Sequence, residues 1–140
     1  MQCDREMYAD EIQRSLTPAG LDYDYGELVA TMPGYVLHSF DVGDYQGDTF
    51  YLLKDGTRYG VLVFGYGSCS GCDALQGCES DVQRVTELRN DMYNSIVWRE
   101  SAEMMRDYLN TRDWSLEWYG NMNDWNEGVK QAIQAMVDTA

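Results

Sequence analysis

The sequence predicts an α+β fold: an N-terminal helix, a three-stranded antiparallel meander, and a helical C-terminal half packed on the sheet. Three observations predict it. Apolar residues recur at four-residue spacing at the start of the chain, switch to a period of two between Tyr35 and Tyr66, and return to helical spacing after Ser80. The Asp55-Gly56 dipeptide lies between two alternating runs, where a tight hairpin turn belongs. Both prolines, Pro18 and Pro33, fall in the first quarter, so no later element has to accommodate one.

The first element is a helix over residues 4–16, with Tyr8, Ile12 and Leu16 on one stripe and Thr17-Pro18-Ala19-Gly20 as its stop. A short helical turn over 27–32 ends at Pro33-Gly34. In the first strand Val36, His38, Phe40 and Val42 share a face, residues 43–47 form a loop, and the second strand covers 49–54. Asp55-Gly56 then predicts a type I′ turn into a third strand over 58–64. Tyr59, Val61 and Val63 take one face of that strand, Leu62 and Phe64 the other, so both faces are at least partly covered. Ser80 with Gln83 reads as a capping box opening a helix that carries Val82, Val85, Leu88, Met92 and Ile96. Ser101 caps a second helix with Met105, Tyr108 and Leu109. Trp114, Leu116 and Trp118 alternate, which reads as a short extra strand over 114–119. Asp124 with Glu127 is a further capping box, ahead of a C-terminal helix bearing Trp125, Val129, Ile133 and Met136.

At 140 residues the chain reads as a single domain, 1–140, able to bury roughly two thirds of the surface its unfolded form exposes. A content of 44% hydrophobic and 13% aromatic residues excludes a disordered acidic tail, which lacks the apolar groups that offset ordering entropy. No segment has the run of roughly 18 apolar residues a membrane span needs, and Met1-Gln2-Cys3-Asp4-Arg5-Glu6 lacks the order of a signal peptide. The expectation is a cytoplasmic protein whose four cysteines are thiols or metal ligands rather than disulfides.

The formal charge is −14, from 24 carboxylates against 10 basic side chains. Such a surface repels nucleic acid and anionic membranes and favours a basic protein partner. No Lys or Arg occurs between Arg14 and Lys54, where Asp22, Asp24, Glu27, Asp41, Asp44 and Asp48 are the leading candidates for partner contact. Tyr23, Tyr25, Tyr35, Tyr45 and Tyr51 are interleaved with them, and a second acidic, aromatic stretch runs from Asp113 to Glu127. Acidic residues mixed with exposed tyrosine suit a protein-binding surface. The competing reading keeps the charge for solubility and the aromatics for the core.

Chemistry is concentrated in Gly65-Tyr66-Gly67-Ser68-Cys69-Ser70-Gly71-Cys72-Asp73, followed by Cys78. Zinc is the candidate metal, with Cys69 and Cys72 as a chelating pair, Cys78 as a third ligand and Cys3 or His38 as a fourth; the second CxxC of a zinc ribbon does not occur. A thiol-disulfide enzyme is the redox alternative, since an apolar strand leads into CxxC. Against it, no proline follows Cys72, and Asp73 disfavours a neighbouring thiolate. The favoured reading is a compact turn in which small residues permit close backbone approach and the cysteines pack as small hydrophobes. His38, the only histidine, reads as a hydrogen-bonded core residue. With no GxSxG, HExxH or GxxxxGK[ST] pattern, no catalytic residue is assigned, the protein is expected to be non-enzymatic, and no cofactor beyond zinc is expected.

The run Tyr66-Gly67-Ser68-Cys69-Ser70-Gly71-Cys72-Asp73-Ala74-Leu75-Gln76 resembles a GSCSGCDAL-type loop in uncharacterised small acidic proteins encoded by bacteriophages. The likeness spans the third strand, the loop and the segment after it, and it implies a phage source and a site of action in the host cytoplasm. The outline and charge are also similar to acidic anti-CRISPR proteins that occupy a nucleic-acid channel. What the two resemblances imply is an inhibitor or adaptor, an anti-CRISPR or anti-restriction-like nucleic-acid mimic whose acidic surface binds the basic nucleic-acid-binding groove of a host defence protein. A metal-binding or thiol-disulfide protein using the CxxC, and a virion or assembly component, are the alternatives.

Overall fold

The period-two stretch forms strands and the flanking segments form helices, giving an α+β fold in a computed structural model that describes residues 5–43, 47–67, 73–114 and 122–139. The order is α1 (Ala9–Ser15), α2 (Tyr25–Val29), β1 (Tyr35–Gly43), β2 (Gly47–Asp55), β3 (Arg58–Tyr66), a 3-10 turn (Gln76–Cys78), α3 (Val82–Ser95), β4 (Val97–Arg99), α4 (Ala102–Thr111) and α5 (Met122–Thr139). No helix among the described residues is long and apolar enough to cross a membrane. The chain forms two compact units, Met1–Pro33 with Tyr66–Ser95, and Gly34–Gly65 with Ile96–Ala140.

The second unit holds a sheet in the order β1-β2-β3-β4. Phe40 lies opposite Phe50, and their rings stack at 4.7 Å. With Val42, Leu52, Tyr59 and Val61 they form one face of a core that Met105 and Leu109 of α4 and Trp125, Val129 and Met136 of α5 complete. Leu53 and Leu62, on the opposite face, are also buried, as the two-sided pattern of β3 predicts. α5 lies against β1, and Gly128 makes this approach possible, since a Cβ there would run into the Phe40 ring.

Several sequence expectations are corrected. A bulge between Val36 and His38 moves Val36 to the face opposite His38, Phe40 and Val42, and it is exposed. The hairpin turns through Gly56-Thr57, and only Gly56 has positive φ (63°), so the turn has the II′ pattern rather than I′. The fourth strand, β4, is not among the expected elements; it begins one residue beyond Ile96, the last position of the helical spacing, and α3 itself ends at Ser95. Val97 and Trp98 are β-formers, and Gly60 opposite Trp98 leaves room for its ring, which a Cβ would meet at 2.8 Å. The strand expected over 114–119 lies outside the described residues except for Trp114. That residue is buried, donates its indole N–H to the Leu109 carbonyl at 3.1 Å and stacks on Trp125.

The first unit is helical, with α1 packed on α3. α1 is shorter than predicted because tertiary bonds capture the backbone before it. Asn90 accepts from Met7 N–H and donates to Met7 C=O, both at 2.9 Å, and Arg89 donates to Arg5 C=O. Tyr8 is therefore the exposed N-cap residue rather than part of the apolar stripe, and Glu11 accepts its N–H at 3.0 Å. α2 also begins earlier, at Tyr25, because Asp24 caps it. Ser80 sits in the left-handed region at φ 60°, so α3 is capped by Asp81, whose Oδ1 accepts from Arg84 N–H at 3.1 Å. Ser101 caps α4 as predicted. α5 begins at Met122, which places Asp124 in its first turn rather than at its cap.

Candidate functional site

The base of the cysteine loop is built by Asp73. Its buried carboxylate accepts Gly67 N–H at 2.9 Å and the Tyr25 hydroxyl at 3.0 Å on Oδ1, and Gln76 N–H at 2.9 Å on Oδ2. The Tyr25 oxygen in turn accepts Leu75 N–H at 3.0 Å. One carboxylate thus ties Gly67 and Gln76, the first residue of the 3-10 turn, to Tyr25 of α2. Burial, with the charge of Asp73 beside it, pushes the Tyr25 phenol well above its ordinary value of 10. It stays protonated as a donor and cannot serve as a base near neutral pH. The Asp73…Gln76 spacing is a local signal for this role, an aspartate side chain accepting the N–H three residues on.

Cys69 and Cys72, with Cys3, lie outside the described residues. Cys78 is a buried free thiol whose Sγ donates to the Ala74 carbonyl at 3.3 Å, and burial pushes its pKa up. A protonated, buried sulfur suits packing; as a metal ligand it would first have to lose its proton. No group of three potential metal ligands occurs among the described residues. His38 faces the core of the sheet unit beside Phe40, with ring centroids at 6.2 Å. Its Nε2 is buried without a hydrogen bond there, which departs from the expected hydrogen-bonded histidine. Desolvation lowers its pKa.

The acidic candidates divide between the units. Asp22, Asp24 and Glu27 belong to the helical unit, Asp41 and Asp48 to the sheet unit, and Asp44 lies outside the described residues. Asp22 and Asp41 are exposed, and Asp41 accepts from the Thr49 hydroxyl at 2.7 Å. Asp24 is the N-cap of α2, accepting Gly26 N–H at 3.0 Å. Glu27 accepts the hydroxyl and the N–H of Thr17, bonds that hold its carboxyl below the usual range. Asp48 is only 6% exposed, on the same face as its cross-strand partner Val42, which removes it from any contact surface. The period-two pattern already put Val42 on the core face; the register that places Asp48 beside it is set by the pairing of β1 with β2, not by local spacing. Tyr23 and Tyr35, near Asp22 and at the start of β1, are 62% and 53% exposed.

No family model, curated protein or solved structure matches this chain.

Proposed function

We propose that this chain is a non-enzymatic inhibitor or adaptor that docks, through exposed carboxylates and tyrosines, on a basic nucleic-acid-binding groove of a partner protein. The observation that carries the reading is the stretch between Arg14 and Lys54, which has no Lys or Arg and exposes Asp22 and Tyr23 on the helical unit and Tyr35 and Asp41 on the sheet unit. Carboxylates held on a folded scaffold compete for the Lys and Arg side chains that otherwise neutralise phosphates, which follow one another at about 1.7 Å of axis in duplex DNA. Tyrosine adds contact area with little rotamer entropy to lose. The resemblance of the cysteine loop to bacteriophage proteins supports a host defence effector as that partner. Asp24 and Glu27 hold the shape of the acidic segment, and Asp22 and Asp41 present charge.

The test is capture of a partner from bacterial lysate, followed by its salt dependence. Binding is expected to fall steeply between about 50 and 500 mM salt and to be competed by nucleic acid. Asp22→Lys with Asp41→Lys is expected to abolish it while leaving the fold intact, because exposed positions tolerate such changes. Capture that is indifferent to salt and to this double substitution would reduce the charge to a solubility device.

A further inference from the structure

A cavity of about 430 Å³ opens within the sheet unit between the end of α4 and the middle of α5. Its apolar lining comes from Leu109, Trp114, Val129 and Ile133, its neutral polar groups are the amides of Asn110 and Asn126, and its cations are Arg112 and Lys130. Asp113 is the one carboxylate among the described lining residues, which set two cations against it in a chain of charge −14. The size falls in the range of small-molecule sites, which combine an apolar body with a few convergent polar groups.

The groups are ordered. Trp125 stacks on Trp114 at 5.3 Å with the planes 10° apart, and the Arg112 guanidinium lies over the Trp114 ring at 4.2 Å. A planar cation held on an aromatic stack offers a surface on which another ring can lie. Across the cavity Lys130 is exposed, and its ammonium makes no hydrogen bond or ion pair among the described residues. The nearest carboxylate along its own helix, Glu127, is instead hydrogen-bonded to Gln131 at 3.3 Å. Lys130 is therefore the cation positioned to take a counter-charge from a ligand.

We infer that this cavity binds a small aromatic carboxylate, its ring against the Arg112–Trp114 stack and the apolar floor, and its carboxylate on the Lys130 ammonium with the asparagine amides as further donors. The inference concerns a different surface from the acidic segment and stands or falls separately from it.

Naphthoate is a suitable probe, with neutral naphthylmethanol as its uncharged counterpart, both titrated into the full chain and followed by backbone amide NMR. Saturable naphthoate binding with a Kd below about 1 mM is expected, with shifts centred on residues 109–114 and 126–133. Lys130→Glu should weaken it about fivefold to tenfold, as expected when an exposed attraction becomes a repulsion, and Lys130→Arg should restore it. Naphthylmethanol should bind more weakly than naphthoate to the wild-type chain. Absence of saturable binding, shifts centred elsewhere, equal affinity for the neutral alcohol, or unchanged affinity in folded Lys130→Glu would each overturn the inference.

Discussion

The phenol of Tyr25 donates to Oδ1 of Asp73 at 3.0 Å, joining residues 48 positions apart in the sequence. The same carboxylate holds Gly67 and Gln76, so Asp73→Ala strands three donors in a buried place. A loss of about 2–4 kcal/mol is expected, since each buried donor left unsatisfied costs about 1–3 kcal/mol and relaxation recovers part of the sum. Asp73→Asn keeps one acceptor oxygen and should cost about 1 kcal/mol, the scale of a lost cap. Urea unfolding of both variants distinguishes a carboxylate that organises the loop base from one that merely fills it.

Tyr25→Phe removes the donor to Asp73 and the acceptor for Leu75 N–H, and is expected to cost about 1–2 kcal/mol at neutral pH. Its pH signature is more specific. The folded phenol titrates above its ordinary value of 10, so its contribution is fully present below pH 10 and is lost as pH rises from there through the folded value. Wild-type stability should therefore fall on the alkaline side more steeply than that of Tyr25→Phe. Parallel alkaline profiles would contradict the assignment.

His38 carries a buried Nε2 without a partner among the described residues, and desolvation depresses its pKa. The sign follows from the unfolded chain, which takes up the proton first. Stability is present above the ordinary value of 6.5 and is lost as pH falls through the folded value. His38→Leu, opposite Leu52, removes both the orphan nitrogen and this acid sensitivity. It should stabilise the protein by about 1 kcal/mol, and thermal unfolding at pH 5 and pH 8 should show the larger gain at pH 5.

Arg89 is fully buried in the helical unit, with its guanidinium donating to Thr31 Oγ1, Thr31 C=O, Arg5 C=O and Asn90 Oδ1. Arg89→Ala removes those donors from otherwise committed oxygens and leaves a cavity, and a loss of about 3–5 kcal/mol is expected. Arg89→Lys should recover little, because an ammonium cannot span four acceptors with a planar fork. Denaturant titration of the two variants gives the comparison.

Gly128→Ala places a methyl group against the Phe40 ring, so α5 must shift from β1 or Phe40 must leave its stack with Phe50. A cost of about 1–3 kcal/mol is expected from overpacking, against the small gain that alanine brings to an open helix site. A melting temperature that rises in Gly128→Ala would show that the helix does not press on the sheet there.

By itself the sequence determined the α+β class, the existence of the helices and of the first three strands, and the apolar stripe of α5, because these follow from side-chain period, which is local. It also placed the Ser101 cap, where one hydroxyl and one N–H three residues on suffice. Tertiary structure decided what depends on partners distant in the chain. α1 lost its first turn because Arg89 and Asn90 took the backbone of residues 5–7, and Val97-Trp98-Arg99 became a strand because β3 offered an edge and Gly60 offered room. Among the acidic candidates, charge and spacing could not separate exposed Asp22 and Asp41 from Asp24 and Glu27, spent on local bonds, or from Asp48, turned inward by strand register. Net charge is a sum over residues, whereas the availability of a carboxylate is set by which neighbours the fold brings to it.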